Sequence, residues 1–364
     1  MTHLSDNLST GGTVRRVRLT TWMTGVWVVG CLAGVLAWPM LDRVAARSGA
    51  PAFEQAIPGS TLRWYKGNTH THTLNSDGDS TPDDVVRWYR EHGYHFLVLT
   101  DHNYLTGVDT LNGLYGAREK FLVIKGEEVT SSFQSKSVHV NGLDVSEQVE
   151  PSRNAATLVE TIQQNVDAIR KVNGIPHINH PNFGWSISVD ELRQVKNNRL
   201  FEVYNGHPLV HNMGGGGVPS LEEAWDTILS QGIVLYGIAV DDAHTFKQPG
   251  NRSVAGPGRG WISVRAPRLD ARTLLEAVER GDFYASTGVE LVDVKATATS
   301  LTVETRVVGG RKHRIQFIGK GGRVLSDVQQ STATYTFTGT EGYVRAKVID
   351  SGGDIAWVQP VWIK

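Results

Sequence analysis

Between about residues 60 and 288, short apolar runs alternate with longer segments whose apolar residues recur at helical spacing. The short runs are rich in β-branched and aromatic residues, as expected for strands that are buried on both faces. We predict strands at residues 96–99, 121–124, 175–178, 200–203, 233–240 and 261–264. Strands that alternate with helices favour an α/β fold with a parallel sheet, most economically closed as a βα barrel.

The intervening segments carry the local signals of helix ends. Thr81 is followed by Pro82 and two acidic residues, and Gly93 closes the same segment, so a helix is predicted between them. Further helices are predicted from the apolar positions Leu158, Ile162, Val166, Ile169 and Val172 before Gly174, from the capping-box pairs Ser188 with Glu191 and Ser220 with Glu223, and from Asp270 ahead of Gly281.

The apolar period changes to two beyond about residue 289. Apolar and polar residues alternate at 301–305, 315–317 and 344–348, and a Ser-Gly-Gly turn at 351–353 lies between two such segments as a hairpin signal. A period of two is typical of strands that bury one face. We therefore predict a small antiparallel, sandwich-like β domain at 289–364, following a catalytic domain at 61–288.

The first 60 residues predict export. An uncharged apolar run at 19–41 follows a basic flank at 1–18 that contains Arg15, Arg16 and Arg18. The run is long enough to cross a bilayer, which takes about 20 residues. This pattern is typical of a secretory signal or of an uncleaved transmembrane anchor. With a linker at 42–60, the protein is expected to be anchored in the inner membrane and to face the periplasm or the extracellular side, or to be secreted after cleavage.

Composition narrows the chemistry. The 364 residues carry a formal net charge of −1 with a pI near 6.9, which argues against a dedicated nucleic-acid-binding protein. Cys31 is the one cysteine, so the chain has neither an intramolecular disulfide nor a thiolate-rich zinc site. Any metal site must therefore use imidazole and carboxylate ligands.

Histidines and carboxylates cluster where predicted strands end. All of the 13 histidines except His3 and His313 lie between His70 and His244. The clusters are His70-Thr71-His72 with Asp77, Asp101-His102-Asn103, Glu127-Glu128, His139, His177 with His180, and Asp241-Asp242-Ala243-His244. Each cluster alone is equally typical of a polar strand end, but their succession predicts a metal centre at the active-site end of a parallel barrel. Nitrogen and oxygen ligands together suit Zn, Mn or Fe(II) better than Ca.

The order of these motifs resembles the polymerase and histidinol phosphatase (PHP) family of metal-dependent phosphoesterases. The likeness covers about residues 64–288 and runs through His-x-His with a following Asp, Thr-Asp-His, Gly-x-Glu, a lone His, His-Pro and Asp-x-His. It implies an irregular barrel of seven strands that carries up to three metal ions. Segments 201–205, 260–261 and 283–288 look, more loosely, like a subgroup of that family that includes carbaryl hydrolases.

The resemblance also implies how the ligands divide among the ions. One ion would be held by His70, His72, Glu128 and Asp242, a second by Asp77, His102 and His180, and a third by His139 and His244, with Glu128 bridging. Two or three divalent ions are therefore expected. Where some family members have His at the third position of the first motif, this chain has Asp77, which bears on metal identity more than on metal presence.

We expect a phosphoesterase that acts on a small-molecule ester through a hydroxide bridging two ions, with Glu128, Asp242 and His180 most important for catalysis. Carboxylic ester or carbamate hydrolysis at the same site is the alternative, and a non-catalytic, metal-bearing surface protein is a further one. Candidates for substrate contact are His177, Asn103, Asn205, His207 and Arg252. Asp101 and Asp241 are expected to orient ligands, and Glu127 to point away from the centre.

Overall fold

The structure, a computed structural model, describes residues 61–363. The basic flank, the apolar run and the linker predicted within residues 1–60 lie outside the described residues, so the predicted anchor and export stay predictions. Between residues 61 and 363, no helix is both long enough and apolar enough to span a membrane.

Helices and strands alternate through the first part of this range, and strands dominate its end. The helices are α1 Pro82–Glu91, α2 Asp109–Glu119, α3 Leu158–Lys171, α4 Val189–Leu192, α5 Leu221–Ser230 and α6 Ala271–Arg280. The first nine strands are β1 Arg63–Asn68, β2 Phe96–Leu99, β3 Leu122–Phe133, β4 Lys136–Leu143, β5 Ile175–Ile178, β6 Leu200–Asn205, β7 Tyr236–Val240, β8 Trp261–Ala266 and β9 Phe283–Ser286. The remaining strands are β10 Leu291–Ala296, β11 Ser300–Thr305, β12 His313–Gly319, β13 Arg323–Val328, β14 Thr332–Thr336, β15 Tyr343–Asp350 and β16 Ile355–Trp362.

One large mixed sheet organises the described residues. Its strand order is β13-β12-β15-β16-β9-β8-β1-β2-β3-β4-β5-β6-β7. The pairs β1–β2, β2–β3, β5–β6 and β6–β7 are parallel, whereas β4 runs antiparallel to β3 and β5. The predicted α/β class is therefore confirmed, but the sheet is mixed and not parallel throughout.

Closure of this sheet into a barrel is not confirmed, because β7 and β13 are its two edge strands. A strand has two hydrogen-bonding edges, and β1 uses them for parallel β2 and antiparallel β8, so β7 forms no ladder with β1 itself. Beyond the ends of β1 and β7, a parallel bridge joins Thr71 to Ala243, and the His72 amide donates to the Ala243 carbonyl at 2.9 Å. The segments that follow β1 and β7 therefore lie side by side.

The predicted local helix signals are confirmed. The Thr81 hydroxyl caps α1 by accepting from the Asp84 amide at 3.2 Å. Both predicted capping boxes form, at the start of α4 and of α5. Helix α6 begins after the Asp270 cap and ends at Gly281, whose φ of 83° is readily adopted only by glycine. These short-range signals place the helices between successive strands.

The C-terminal strands continue the large sheet instead of standing apart from it. Strand β16 pairs with β9, so β12, β13, β15 and β16 extend the sheet across the predicted boundary near residue 288, while β10, β11 and β14 form a second, three-stranded sheet. The predicted alternation is confirmed, because Leu301 and Val303 are buried in one core with Phe317, Val344 and Val348. A separate β domain is not confirmed, since β9 shares its ladder with β16.

A buried arginine ties the C-terminal strands to helix α5. The Arg345 guanidinium donates to Asp226 at 2.7 and 2.6 Å and to Glu222 at 2.9 Å. Burial by itself would raise the pKa of Glu222, but Arg345 and Lys347 outweigh it, so that pKa is lowered. The Tyr343 hydroxyl donates to Asp226 at 2.7 Å. Strand β15 is thus fixed to α5 by charge as well as by apolar packing.

Candidate metal centre

The nine side chains predicted as metal ligands lie together beyond the ends of the parallel strands. His70 and His72 follow β1, Asp77 lies in the next turn, His102 follows β2, Glu128 and His139 lie within β3 and β4, His180 follows β5, and Asp242 and His244 follow β7. The carboxyl ends of neighbouring parallel strands share one edge of a sheet, so residues far apart in the sequence meet here.

Glu128 occupies the middle of this cluster and is 1% exposed. The distances from its carboxylate oxygens to imidazole nitrogens are 3.3 Å for His70, 3.3 Å for His72, 2.9 Å for His102, 3.0 Å for His139 and 3.4 Å for His180. A carboxylate has two oxygens with several lone pairs, whereas a neutral imidazole offers one. Glu128 is therefore the side chain best placed to contact more than one ion.

Two aspartates complete the cluster. Asp242 Oδ1 lies 3.2 Å from Nε2 of both His70 and His72. Asp77, whose side chain is 54% exposed, lies 3.5 Å from His72, 3.6 Å from His102 and 3.4 Å from His244. Asp242 thus belongs to the buried part of the cluster and Asp77 to its solvent side.

Four overlapping sets of ligand atoms could each hold one ion, the atoms of a set lying within 4.8 Å of one another. The sets are His72, Asp77, His102 and His244; His70, His180 and Asp242; His70, His72 and Glu128; and His102, Glu128 and His139. This grouping differs from the partition that the resemblance implies. His180 groups with Asp242, whose Oδ2 lies 4.0 Å from its Nε2, and His244 groups with Asp77, whose Oδ1 lies 3.4 Å from its Nε2.

The residues present fit divalent cations. Five buried atoms of the cluster have no hydrogen-bond partner among the described residues: Nε2 of His70 and of His72, Nδ1 of His139, Oε2 of Glu128 and Oδ1 of Asp242. A buried polar atom without a partner costs about 1–3 kcal/mol. Buried lone pairs that converge from several segments are accounted for if cations bind between them.

The two buried carboxylates are held in the ionised form that binds metal. Burial by itself would raise the pKa of Glu128 and of Asp242, but the surrounding histidines outweigh it and hold both pKa values well below the usual range. The main contributors are His102 and His139 for Glu128, and His70 for Asp242. No proton therefore competes strongly with a cation at either carboxylate.

Glu202, which was not predicted as a site residue, orients two of the ligands. Its carboxylate lies 2.6 Å from Nδ1 of His70 and accepts from the His180 amide at 2.6 Å. The first contact places the His70 proton on Nδ1 and leaves Nε2 free for a metal. A usable signal exists in the sequence, because Glu202 is a carboxylate within the apolar run at 200–203 that should be buried.

Asn179 and Thr130 also hold ligands and were not predicted. The Asn179 side-chain amide donates to Glu128 Oε1 at 2.7 Å, and the Thr130 hydroxyl lies 2.6 Å from Nδ1 of His102. Neither residue has a sequence signal that separates it from ordinary polar residues, since each reaches its ligand across neighbouring strands.

Asp101 and Asp241, which were expected to orient ligands, contact neighbouring loops, and Glu127 lies outside the cluster. Asp101 accepts from the Thr73 amide at 2.7 Å and from the Ser76 hydroxyl at 2.9 Å, which holds the turn that carries Asp77. Asp241 accepts from the amides of residues 258, 259 and 260 at 2.9, 2.5 and 2.8 Å. Glu127 points away from the cluster and accepts from the Val149 amide at 2.9 Å.

The five candidates for substrate contact differ in position. Asn205 donates to Asp242 at 3.1 Å, Asn103 bonds to the Thr130 backbone, and His177 is fully buried with Nε2 3.7 Å from Glu202. His207 is half-buried with its ring 5.6 Å from that of His244, and Arg252 is exposed. Of these, His207 combines solvent access with proximity to the predicted ligands.

Two of the predicted ligands have backbone conformations that are unusual outside glycine. His180 has a φ of 21° and Asp242 a φ of 50°. Left-handed conformations of such residues cost about 1–3 kcal/mol and persist where the surrounding structure enforces them, often at functional sites. At Asp242 the backbone therefore turns before it reaches His244.

The fold has a solved counterpart. A two-domain protein from Bacteroides vulgatus containing a predicted PHP-like metal-dependent phosphoesterase superposes with a TM-score of 0.50 and 17% sequence identity, over 81% of this chain and 92% of that one. The fold of this chain is PHP-like.

Other comparisons with known proteins are weaker. No family model matches the chain. A segment of 80 residues is 29% identical to a 5'-3' exoribonuclease from Haemophilus influenzae, and it spans 22% of this chain and 28% of that protein. An amidohydrolase from Chromobacterium violaceum, solved with sulfate and no metal, has a TM-score of 0.38 at 17% identity, over 52% of this chain and 89% of that one.

Proposed function

We propose that this protein is a metal-dependent hydrolase of small-molecule phosphate esters. The observation that carries the proposal is the convergence of nine imidazole and carboxylate side chains, five of which present a buried nitrogen or oxygen without a partner among the described residues. The PHP-like fold supports it, since the Bacteroides vulgatus protein of that fold contains a predicted metal-dependent phosphoesterase.

The ligand sets would accommodate two or three ions, and their nitrogen and oxygen atoms suit Mn, Zn or Fe(II). When bound, such ions would activate water for attack and neutralise charge on phosphoryl oxygens. Glu128 would hold two of the ions together, and Asp242 would hold its ion on the buried side. His180, whose amide is fixed by Glu202, would present Nε2 from the side of Asp242.

Hydrolysis of a carboxylic ester or carbamate is the second candidate, and one observation favours it. Of the arginines near the loop that follows β7, Arg259 donates to the carbonyls of Gly206 at 3.0 Å and of Asn251 at 2.7 Å. A guanidinium engaged in this way is less available to a terminal phosphate. A carbon ester needs no such cation.

The first experiment is metal analysis of the full-length protein together with a hydrolysis screen. The screen compares p-nitrophenyl phosphate, bis-p-nitrophenyl phosphate, an aryl acetate and an aryl carbamate. We expect two or three equivalents of metal and turnover of the phosphate esters. Turnover of the carbon esters alone would favour the second candidate, and absence of both metal and metal-rescued activity would contradict the proposal.

Neighbouring carboxylates on opposite faces of β3 give a matched pair of variants. Glu128→Gln should lower metal content and reduce turnover by at least about 100-fold, because it removes a charge shared between ions. Glu127→Gln should retain both, since its carboxylate bonds to the Val149 amide away from the cluster. Equal activity of the two variants would contradict the assignment.

We also propose that strands β1–β8 correspond to the PHP-type barrel and that residues 19–41 direct export. The bridge between Thr71 and Ala243 supports the first proposal, and the apolar run behind a basic flank supports the second. Protease accessibility in intact and permeabilised cells tests the export, and protection in both preparations would contradict it.

A further inference from the structure

A half-buried aromatic side chain, Phe183, lies against the candidate metal centre. Its ring centroid is 5.3 Å from that of His180 and 6.5 Å from that of His139. On its other side lies His207, 6.0 Å away, whose ring is 5.6 Å from that of His244. Phe183 and His207 are both partly exposed, so together they form a wall beside the predicted ligands that solvent reaches.

Backbone contacts fix this wall in place. An antiparallel bridge joins Phe183 to Val210, and the Phe183 amide donates to the His180 carbonyl at 2.8 Å. The side-chain amide of the buried Asn182 donates to the backbone carbonyls of His211 and Pro219, both at 3.0 Å. The loops that follow β5 and β6 are therefore joined at three points, and the wall is preorganised for a ligand.

Trp185 lies two residues beyond Phe183 on the same loop. Its ring stacks on that of His211 with centroids 4.2 Å apart and planes at 7°, yet the residue remains 39% exposed. Its φ of 55° is unusual for a bulky residue and costs about 1–3 kcal/mol, so the loop holds this indole in an unfavourable backbone conformation. Such strain is more often found at functional sites than on inert surface.

Other exposed apolar side chains lie on loops near the centre. Leu74 at 55%, Tyr104 at 47%, Trp185 at 39%, Leu209 at 61% and Met213 at 84% each lie in a loop that carries a predicted ligand or directly follows a strand leading into the centre. Other exposed hydrophobic side chains, Leu114, Val292, Val307, Val308 and Val324, lie elsewhere in the described residues. Apolar side chains that gather around a polar site indicate a binding surface.

We propose that Phe183 and Trp185 form the subsite for the leaving group, and that this group is apolar and planar, as in an aryl phosphate. The proposal rests on the proposed phosphoesterase function. In the reaction, the bond between phosphorus and the aryl oxygen breaks. Water supplies the oxygen that phosphate keeps and the proton that the departing phenol takes.

The test compares the binding of two non-hydrolysable probes to the full-length protein loaded with Mn²⁺. Phenylphosphonate and methylphosphonate share the anionic group and differ in the ring. By calorimetry we expect phenylphosphonate to bind about tenfold more tightly, from the apolar surface that the ring buries. Phe183→Ala should reduce this ratio to about twofold and Phe183→Leu should leave an intermediate ratio.

A control variant, Phe337→Ala, removes a half-buried phenylalanine that packs against the apolar core of the C-terminal strands. It should keep the tenfold ratio. Metal content and the thermal midpoint, measured for every variant, identify any that fail to fold. Equal affinities for the two probes, or a ratio unaffected by either Phe183 variant, would overturn the subsite. Failure of both probes to bind the metal-loaded protein would instead overturn the phosphoesterase proposal on which the subsite rests.

Discussion

His70 can offer Nε2 to a cation only while the proton on Nδ1 has an acceptor, and Glu202 provides that acceptor at 2.6 Å. The side chains of both residues are fully buried, so water cannot take over the role. We therefore expect Glu202→Gln to weaken metal binding by about 10–100-fold, the usual effect of losing a partner that orients a ligand. Titration of the metal-free protein with Mn²⁺ or Zn²⁺ measures the change.

Glu304→Gln is the matched control, because Glu304 is exposed on β11 in the second, three-stranded sheet. It makes the same chemical change and should leave metal affinity unaltered. Equal metal affinity in the wild-type and Glu202→Gln proteins would show that His70 is oriented by other contacts. The contact between Glu202 and the His180 amide would then be purely structural.

At the scale of elements, features that depend on neighbours in the sequence were predictable. The capping boxes at Ser188 and Ser220 form because the capping side chain and its backbone partner lie three residues apart. Strand 96–99 was predicted at its observed bounds because it is buried on both faces. Helix α2 was missed, since it has no side-chain cap and contains Gly113 and Gly116.

Features that depend on distant partners were not predictable. Strand β1 was missed because its residues are mostly half-buried and polar, and only its partners β2 and β8 define it. Residue types at strand ends did single out side chains that lie together, but their division into sets depends on distances between ligand atoms on different loops. The apolar run at 200–203 marks Glu202 as a buried carboxylate, but His70 and the His180 amide, which it contacts, lie on other segments.

The contact between α5 and β15 predicts a large effect of one substitution. Arg345 is fully buried, and its loss would leave Asp226 and Glu222 without their cation. Arg345→Met should lower the free energy of unfolding by about 3–5 kcal/mol. Urea unfolding measures it, with Arg323→Ala, an exposed arginine, expected within about 0.5 kcal/mol of wild type. A loss below 1 kcal/mol in Arg345→Met would mean that the strands are held mainly by apolar packing.

The loop before β15 predicts a pH dependence. Glu341 accepts from the amides of Thr338, Gly339 and Thr340 at 2.6, 3.0 and 2.9 Å. Burial by itself would raise the pKa of Glu341, but hydrogen bonds from the amide and the hydroxyl of Thr338 and from the Tyr335 hydroxyl outweigh it and lower that pKa to about 2. The unfolded value is about 4.3. Because the folded pKa is the lower one, ionised Glu341 stabilises the fold above about pH 4.3, and this contribution is lost as pH falls toward 2.

Glu341→Gln should therefore lower the free energy of unfolding above pH 5, and the difference from wild type should shrink as pH approaches 2. Urea unfolding of both proteins across this range gives the difference directly, so that other titrating groups cancel. Glu304→Gln serves as the exposed control and should show little difference at any pH. A Glu341→Gln difference that stays constant down to pH 2 would contradict a role for the ionised carboxylate.

For the whole molecule, metal binding and fold stability should be coupled across the open edge of the sheet. His70 and His72 follow β1 and Asp242 follows β7, and these segments pair through the bridge between Thr71 and Ala243. Cations held between the three side chains would cross-link them, and a cation at 100 times its Kd would add about 2.7 kcal/mol of stability per site. Metal-stripped protein should therefore unfold at a lower temperature and regain its midpoint with Mn²⁺ or Zn²⁺.

Two further measurements separate this coupling from nonspecific binding. Glu128→Gln should regain much less of the thermal midpoint than Glu127→Gln, because the two variants lose the same charge on opposite faces of β3. The gain should also fall below about pH 6, where protons compete with cations for imidazole nitrogen. If metal raised the midpoint equally in both variants and at every pH, the ions would be bound elsewhere on the molecule. The segments that follow β1 and β7 would then be held together by contacts within the protein, without a bound ion.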